Sequence, residues 1–328
     1  MRRWTIALSV LLGVIVVVLI FMFTRDDAGE TTTTEFGATT TSTALGSTTT
    51  VSDGTTTTSD ESTTTTQEAT TTSIAGGLEG NWAEEPLVAA GFGGLGWWDG
   101  GNWVQVDEGT SLPVSGGEDY QIAFLGVEAR TTGGGEELLC EPLNNPGVVL
   151  ADEDLLGDWP GPFGVAISAD WDLVPNLVEE TVDDGTYAAI ASQLLAERGL
   201  TVANPPIKQV VRVDLEGDGV NEVLVVSEDV PDGLLAEVGD YSIAFLQKVV
   251  DGAPATSVIG ESVVVELAEG ETPFVLSFSI AAVADLSGDG RMEIVLDSAY
   301  YEGVGIEVWE YVNDDLGPMA QISTGCGA

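Results

Sequence analysis

The sequence of 328 residues contains no histidine and only two cysteines. Without imidazole, the usual Ser-His-Asp and Cys-His catalytic arrangements are excluded, and so are zinc sites with histidine ligands. Two cysteines alone do not make a four-ligand zinc cage. A glycine-rich GFGGLG motif at 91–96 is followed by WWDGGNWVQV instead of a helix, which argues against a dinucleotide site. The sequence therefore predicts no catalytic residues and no organic cofactor.

Basic residues are also scarce. Nine Lys and Arg stand against 54 Asp and Glu, which gives a formal net charge of −45. Such a surface repels nucleic acid, so we expect no nucleic-acid partner. The acidity either forms a solvated coat suited to salty surroundings or attracts cations, and composition leaves both interpretations open.

One apolar run, Trp4–Phe23, is long enough to cross a bilayer as a helix. Arg2 and Arg3 precede it and an acid-rich stretch follows Arg25, so the positive-inside rule places the N-terminus in the cytoplasm. We predict a single-pass membrane anchor over residues 1–25. A cleaved signal peptide is the alternative, and both interpretations export the rest of the chain.

The segment after the anchor differs in composition from everything that follows it. Residues 26–77 consist mostly of Thr, Ser, Gly and acids, with too few apolar residues to bury, so we predict a disordered, extended stalk. From residue 78 onward the pattern becomes β-rich. We divide this ectodomain into a β-rich part at 78–182 and a part at 183–328 that contains one helix and two repeats.

The ectodomain sequence predicts a mainly β fold with one clear helix. The helix is expected over Thr186–Arg198 and should end at Gly199. A hairpin is expected through Asp99–Asn102, and a further strand over Asp119–Gly126. The strands predicted after the helix cover 208–214, 222–228, 241–250, 260–267, 274–285, 292–298 and 304–312.

An internal repeat is visible in this region. VVRVDLEGDGVNEVLVVSE aligns with AAVADLSGDGRMEIVLDSA, and their first loop aspartates, Asp214 and Asp285, are 71 residues apart. DYSIAFL at Asp240 nearly repeats DYQIAFL at Asp119, which indicates a third, degenerate unit. Repeated β-units of this kind predict propeller-blade-like antiparallel sheets stacked side by side, although three are too few for a standard closed propeller.

Each repeat contains an acidic loop with the pattern D-x-[E/S]-G-D-G-x-x-E. Calcium prefers six to eight hard oxygen ligands, and alternate positions of a tightly curled loop can direct their side chains at one centre. Two copies in one register favour a Ca²⁺ site over simple Asp-Gly turns whose acids face water, which is the alternative. The predicted ligands, including the carbonyls of Val220 and Arg291, are Asp214, Glu216, Asp218, Val220, Glu222, Asp285, Ser287, Asp289, Arg291 and Glu293.

These loops resemble the short calcium loops of VCBS and FG-GAP repeat proteins, the integrin-alpha-like class. In that class D-x-D-x-D-G-x-x-D joins two antiparallel strands. The present loops depart from the pattern in having Glu216 and Ser287 at the third position and glutamates at the ninth. An EF-hand is rejected because position twelve holds Val225 and Leu296 and both flanks are predicted strands. The wider pattern also resembles exported bacterial proteins without an established activity, which implies no catalytic residues.

Two further features bear on the ectodomain. In an exported protein the even cysteine count favours a disulfide between Cys140 and Cys326, with two free thiols as the alternative.

Three tryptophans, Trp97, Trp98 and Trp103, fall in one predicted hairpin, where they form either a sugar-binding platform or part of the core.

The sequence leaves more than one function open. The first is a membrane-anchored, calcium-binding β-module that binds a surface protein or polysaccharide. The second is an extracytoplasmic hydrolase, which would show two converging carboxylates in a cleft, one with a raised pKa. The third is a structural envelope protein stiffened by calcium.

Overall fold

The computed structural model describes residues 79–125, 127–157, 162–174, 179–181, 185–230, 235–250, 253–267, 274–311 and 319–327. The predicted membrane anchor and stalk lie outside these residues. Within the described part of the chain, no helix is both long and apolar enough to cross a membrane.

The described residues form three antiparallel sheets, one α-helix and one 3-10 helix. The mainly β prediction is therefore confirmed, and neither a closed barrel nor a propeller is seen among these residues. The N-terminal sheet has seven strands, the helix-side sheet has five and the middle sheet has four.

Each sheet is built from strands that are consecutive along the chain. The N-terminal sheet contains β1 (Leu87–Ala90), β2 (Gly93–Trp98), β3 (Trp103–Gln105), β4 (Asp119–Phe124), β5 (Val127–Leu139), β6 (Asn145–Leu150) and β7 (Val165–Ile167), with the 3-10 helix at Glu153–Leu156. The helix-side sheet contains β8 (Glu179–Thr181), β9 (Ile207–Val213), β10 (Glu222–Asp229), β11 (Tyr241–Val250) and β12 (Ala253–Val263), with helix α1 at Gly185–Glu197. The middle sheet contains β13 (Ser277–Ala284), β14 (Glu293–Tyr300), β15 (Gly303–Glu310) and β16 (Met319–Gly327). The strand order is β3-β2-β1-β7-β4-β5-β6 in the N-terminal sheet, β12-β11-β10-β9-β8 in the helix-side sheet and β13-β14-β15-β16 in the middle sheet.

The middle sheet is buried on both faces. Successive residues of a strand point to opposite faces, and in β14 Val295 joins the core shared with the N-terminal sheet. Its neighbours Ile294 and Leu296 join the core shared with the helix-side sheet. This double burial explains why β13 and β14 read as nearly continuous apolar runs and not as alternating ones.

Helix α1 covers the other face of the helix-side sheet. Its residues Ala191, Leu194 and Leu195 pack against Val225 and Phe245 of that sheet. The helix ends where predicted, because Gly199 adopts a left-handed φ of 90°. The Gly199 and Leu200 N–H groups donate to the carbonyls of Ala196 and Leu195, which completes a Schellman motif.

Most predicted strands match the structure to within a few residues, but β12 begins earlier than predicted. Its first residue, Ala253, pairs with Val250 across a two-residue connection. That connection is Asp-Gly in the sequence, a strong hairpin signal that outweighs the weak apolar pattern of 253–259.

The disulfide between Cys140 and Cys326 is confirmed, with Cα atoms 5.7 Å apart. Cys140 follows β5 of the N-terminal sheet, and Cys326 lies in β16 of the middle sheet. The bond therefore ties the C-terminal strand β16 to the end of β5 in the N-terminal sheet across 186 residues of sequence.

Candidate metal centre in two hairpin loops

The two acidic loops occupy equivalent places in two hairpins. The first joins β9 to β10, whose register ends at Val213 opposite Glu222. The second joins β13 to β14, whose register ends at Ala284 opposite Glu293. Both loops therefore begin with an aspartate directly after a buried strand and end with the first residue of the next strand.

The first aspartate of each loop organises the backbone in the same way. Asp214 accepts hydrogen bonds from the N–H groups of Gly217 and Gly219, both at 2.7 Å. Asp285 accepts the equivalent bonds at 2.7 and 3.0 Å. The curl of the two loops requires left-handed φ angles of 74° to 87°, which residues with a Cβ rarely adopt. Glycines occupy all four of these positions: Gly217, Gly219, Gly288 and Gly290.

The later acids repeat this correspondence. Asp218 accepts the Val220 N–H and Asp289 accepts the Arg291 N–H, both at 2.8 Å. In each loop the glutamate closes the hairpin by accepting an N–H from the residue after the first aspartate. For Glu293 that bond measures 2.6 Å, and for Glu222 it measures 3.0 Å. The two loops thus share one backbone conformation, as the sequence alignment predicts.

The predicted ligands are not gathered into a cage. Within the described ranges, no group of three or more Asp, Glu, His or Cys residues lies close enough to hold a metal ion. Glu222, Asp285, Ser287 and Glu293 are buried, Asp214 and Glu216 are half-buried, and Asp218, Val220, Asp289 and Arg291 are exposed. Calcium binding therefore stays a prediction.

The donor chemistry of the second loop fits a hard cation. The pKa of Asp285 is raised to about 6 and that of Glu293 to about 8, mainly by burial, with a smaller contribution from neighbouring acids in both cases. The Ser287 hydroxyl is buried and makes no hydrogen bond of normal geometry, although it lies near enough to Glu293 to lower the pKa of that carboxyl. The two buried carboxyls and the hydroxyl are all oxygen donors, the ligand type that Ca²⁺ prefers.

The first loop presents the same chemistry in a more exposed setting. Burial also raises the pKa of Glu222, and Asp218 and Asp214 add to the shift. Its third-position residue is a carboxylate, Glu216, where the second loop has a hydroxyl. The first loop therefore has more negative charge and less burial than the second.

The difference in burial comes from a segment far away in sequence. The Trp171 indole donates a hydrogen bond to the Asp285 carbonyl at 2.8 Å, and the Asp285 N–H donates to the carbonyl of Leu173. The two loops also touch, because the Met292 N–H donates to the Leu215 carbonyl at 2.9 Å. Nothing in the sequence around Trp171 indicates this contact.

A second polar cluster was not predicted. Asp297, which is 2% exposed, accepts hydrogen bonds from the Phe163 N–H and the Ser279 hydroxyl. Glu228 accepts the hydroxyls of Ser277 and Ser242. Burial raises the pKa of Asp297 to about 7. The one feature of the sequence that could have indicated this cluster is an acid within each of two apolar strands, Glu228 in EVLVVSE and Asp297 in EIVLD.

Both carboxyls of this cluster line a cleft of about 280 Å³ between the helix-side and middle sheets. Lys208 lies in the same wall. Ser277 and Ser279 are two positions apart on β13, so they project from the same face roughly 7 Å apart. The carboxyls that they bind are therefore neighbours in one cleft.

The tryptophan hairpin forms as predicted, with Trp98 paired to Trp103 and their ring centroids 5.6 Å apart. The rings are half-buried: Trp103 packs on the core between the N-terminal and middle sheets, and Trp97 packs on the outer core of the N-terminal sheet. This packing favours the core interpretation over a flat exposed platform.

Comparisons of the chain with protein-family models, with curated proteins and with solved structures find no match.

Proposed function

We propose that this chain is a membrane-anchored, extracytoplasmic binding module whose hairpin loops bind Ca²⁺. The observation that carries the proposal is the shared conformation of two loops 71 residues apart, each placing carboxylate oxygens around the same glycine curl. Simple turns do not require a buried glutamate, which each loop has, or a buried hydroxyl without a hydrogen bond of normal geometry, which Ser287 adds in the second loop. A cation would balance that charge and use that hydroxyl.

In this proposal the ions are held by side-chain oxygens of Asp214, Glu216, Asp218 and Glu222 in one loop, with Asp285, Ser287, Asp289 and Glu293 in the other. The carbonyls of Val220 and Arg291 complete the two sets. The bound ion supplies charge balance and holds the loop rigid. The resemblance to VCBS and FG-GAP repeats supports this assignment, and so does the interpretation of the three sheets as blade-like units.

The apolar run at 4–23 and the Thr-rich segment at 26–77 support the surface location. An anchor and a spacer would hold the β-module away from the membrane. In that setting millimolar Ca²⁺ suffices to keep weak sites occupied, since extracellular calcium modules have dissociation constants on the order of 10⁻⁴ to 10⁻³ M.

Thermal melting of the full chain tests the calcium sites. We expect Ca²⁺ to raise the melting temperature of the metal-stripped protein by roughly 5 to 10 °C, because a ligand at 100 times its dissociation constant adds about 2.7 kcal/mol. Asp218→Ala combined with Asp289→Ala should abolish most of that shift. Both side chains are exposed, so the double variant should still fold without metal.

The matched control is Asp107→Ala with Glu108→Ala, which removes two exposed acids outside the loops. It should keep the full calcium shift. If the wild-type protein shows no shift, or if the control loses it as the loop variant does, the loops are turns and the acidity is a solvated coat.

The cleft with Glu228 and Asp297 favours a second candidate, a carboxylate-dependent hydrolase acting on glycosides. Protonated Asp297 would donate its proton to the leaving oxygen, while Glu228 takes a proton from the attacking water. A panel of nitrophenyl glycosides tests this candidate. Activity that both Glu228→Gln and Asp297→Asn abolish would support it, and activity that survives both variants would exclude this pair.

A further inference from the structure

A larger cleft lies at the opposite end of the middle sheet from the two acidic loops. Its volume is about 660 Å³, within the range of small-molecule sites. The turn between β14 and β15 forms one wall with Tyr301 and Glu302, and the 3-10 helix forms the other with Asp154 and Leu156. The Cys326 end of β16 contributes to the lining.

The charged residues around this cleft all have the same sign. Four carboxylates line it, and no Lys or Arg does so among the residues that the structure describes. They come from three separate places in the fold, because two of them are neighbours in the 3-10 helix: Glu141, Glu153, Asp154 and Glu302. Charges of one sign around a cleft raise the local concentration of the opposite ion, which favours a cationic ligand there.

The floor and rim carry aromatic rings. Phe92 and Phe163 meet edge to face with centroids 5.7 Å apart, and both line the cleft. Tyr301 is 38% exposed at the rim and contacts Tyr300, which in turn stacks on Phe274. Partial desolvation and the adjacent Glu302 carboxylate raise the pKa of the Tyr301 hydroxyl.

The chain's own cations show that ring faces in this fold accept positive charge. Arg130 lies over Trp82, Arg212 over Tyr187 and Lys248 over Tyr311, with charge-to-centroid distances of 5.5, 5.8 and 4.5 Å. The three rings of the cleft have no such partner among the described residues. An aromatic floor within a ring of carboxylates is the arrangement that recognises organic ammonium groups.

We propose that this cleft binds an organic cation, an ammonium or guanidinium group carried on an apolar or aromatic stem. The stem would lie on the half-buried Phe163 ring, which Phe92 supports edge to face, while the charge faces the four carboxylates and the Tyr301 ring. An inorganic cation would gain nothing from the apolar floor of the cleft, and a neutral ligand would gain no charge attraction from the carboxylates. The proposal names a ligand class for the binding role and does not depend on calcium in the loops.

Calorimetric titration of the full chain with three probes of similar shape tests the proposal: benzylammonium, benzyl alcohol and benzoate. We expect benzylammonium to bind roughly tenfold more tightly than benzyl alcohol, and benzoate not to bind. Raising the salt concentration should weaken the benzylammonium affinity, because the carboxylates are exposed. Equal binding of the cation and the alcohol would overturn the proposal.

Variants locate the binding. Asp154→Asn with Glu302→Gln removes one carboxylate from each wall and should weaken benzylammonium binding about fivefold. Asp107→Asn with Glu108→Gln removes the same charge outside the cleft and should leave the affinity unchanged. Tyr301→Phe should keep the affinity, and Tyr301→Leu should lower it about threefold. If the outside pair weakens binding as much as the cleft pair, the attraction is general acidity and the assignment fails.

A blocked Gly-Arg-Gly peptide distinguishes two sources of the same chemistry. Tighter binding of the peptide than of benzylammonium would assign the cation to a polypeptide side chain, and the reverse would assign it to a small molecule. Either assignment holds only if the cleft variants weaken the binding. A negative result in the calcium melting test would not change either assignment.

Discussion

Replacing Asp297 with asparagine should stabilise the protein at alkaline pH. The pKa of this buried carboxyl rises from 3.8 to about 7, with burial as the main cause. Between these values the folded state binds more protons than the unfolded state, so stability falls as pH increases. At ~1.4 kcal/mol for each tenfold change in acidity constant, the charged form costs about 4 kcal/mol above pH 8.

Asparagine removes this cost and can keep both hydrogen bonds. Its carbonyl oxygen can accept the Phe163 N–H, and its amide nitrogen can donate to the Ser279 hydroxyl oxygen. We therefore expect Asp297→Asn to melt roughly 10 °C above wild type at pH 8.5 and close to wild type at pH 4. Differential scanning calorimetry across this range measures the difference.

An exposed aspartate serves as the control. Asp107→Asn should change the melting temperature little at either pH, since its carboxyl faces water. An Asp297→Asn variant that melts below wild type at pH 8.5 would show that the charged form is stabilised by its hydrogen bonds, and the argument from burial would be refuted.

Three further predictions concern single side chains. Tyr120→Phe should raise the free energy of unfolding by about 1 kcal/mol, because the buried Tyr120 hydroxyl has no hydrogen-bond partner among the described residues. Urea denaturation measures this free energy. A loss of stability would show that the hydroxyl does have a partner. Gly290→Ala should lower the free energy of unfolding by about 1 kcal/mol, because Gly290 has a left-handed φ of 87° and an added Cβ would meet no other atom there. The control Gly101→Ala should leave this free energy nearly unchanged in the same denaturation series. Glu293→Gln should stabilise the metal-free protein above pH 8, since burial raises the pKa of Glu293 to about 8 and stability is lost as pH rises from 4.5 through that value. The same variant should gain less from Ca²⁺ in a thermal melt, and an undiminished gain would remove Glu293 from the site.

The hairpins and the loops could be predicted because their causes are local. Glycines with left-handed φ angles and an aspartate that accepts the following N–H groups fix the loop whatever surrounds it. The same holds for the C-terminal end of helix α1, where Gly199 sets the geometry. The disulfide was predictable for a different reason, since two cysteines allow only one intramolecular pair.

The arrangement of the sheets could not be predicted in this way. Trp171 contacts the second loop across 114 residues of sequence, and no periodicity near either residue indicates it. The pairing of Glu228 and Asp297 with serines of β13 depends on how the helix-side and middle sheets pack. The cleft around Tyr301 is lined by six stretches of the chain that meet only in the folded protein. Such contacts are set by tertiary packing, which local patterns do not encode.

Strand β14 passes through all three candidate regions. Glu293 at its start closes the second acidic loop, Asp297 lies in the carboxyl cluster, and Tyr300 at its end adjoins the aromatic rim of the larger cleft. Its eight residues span roughly 25 Å. A slip of one residue in this strand would exchange its two faces and displace every one of these side chains at once. Insertions and deletions within β14 should therefore be selected against more strongly than substitutions at any one of the sites it joins.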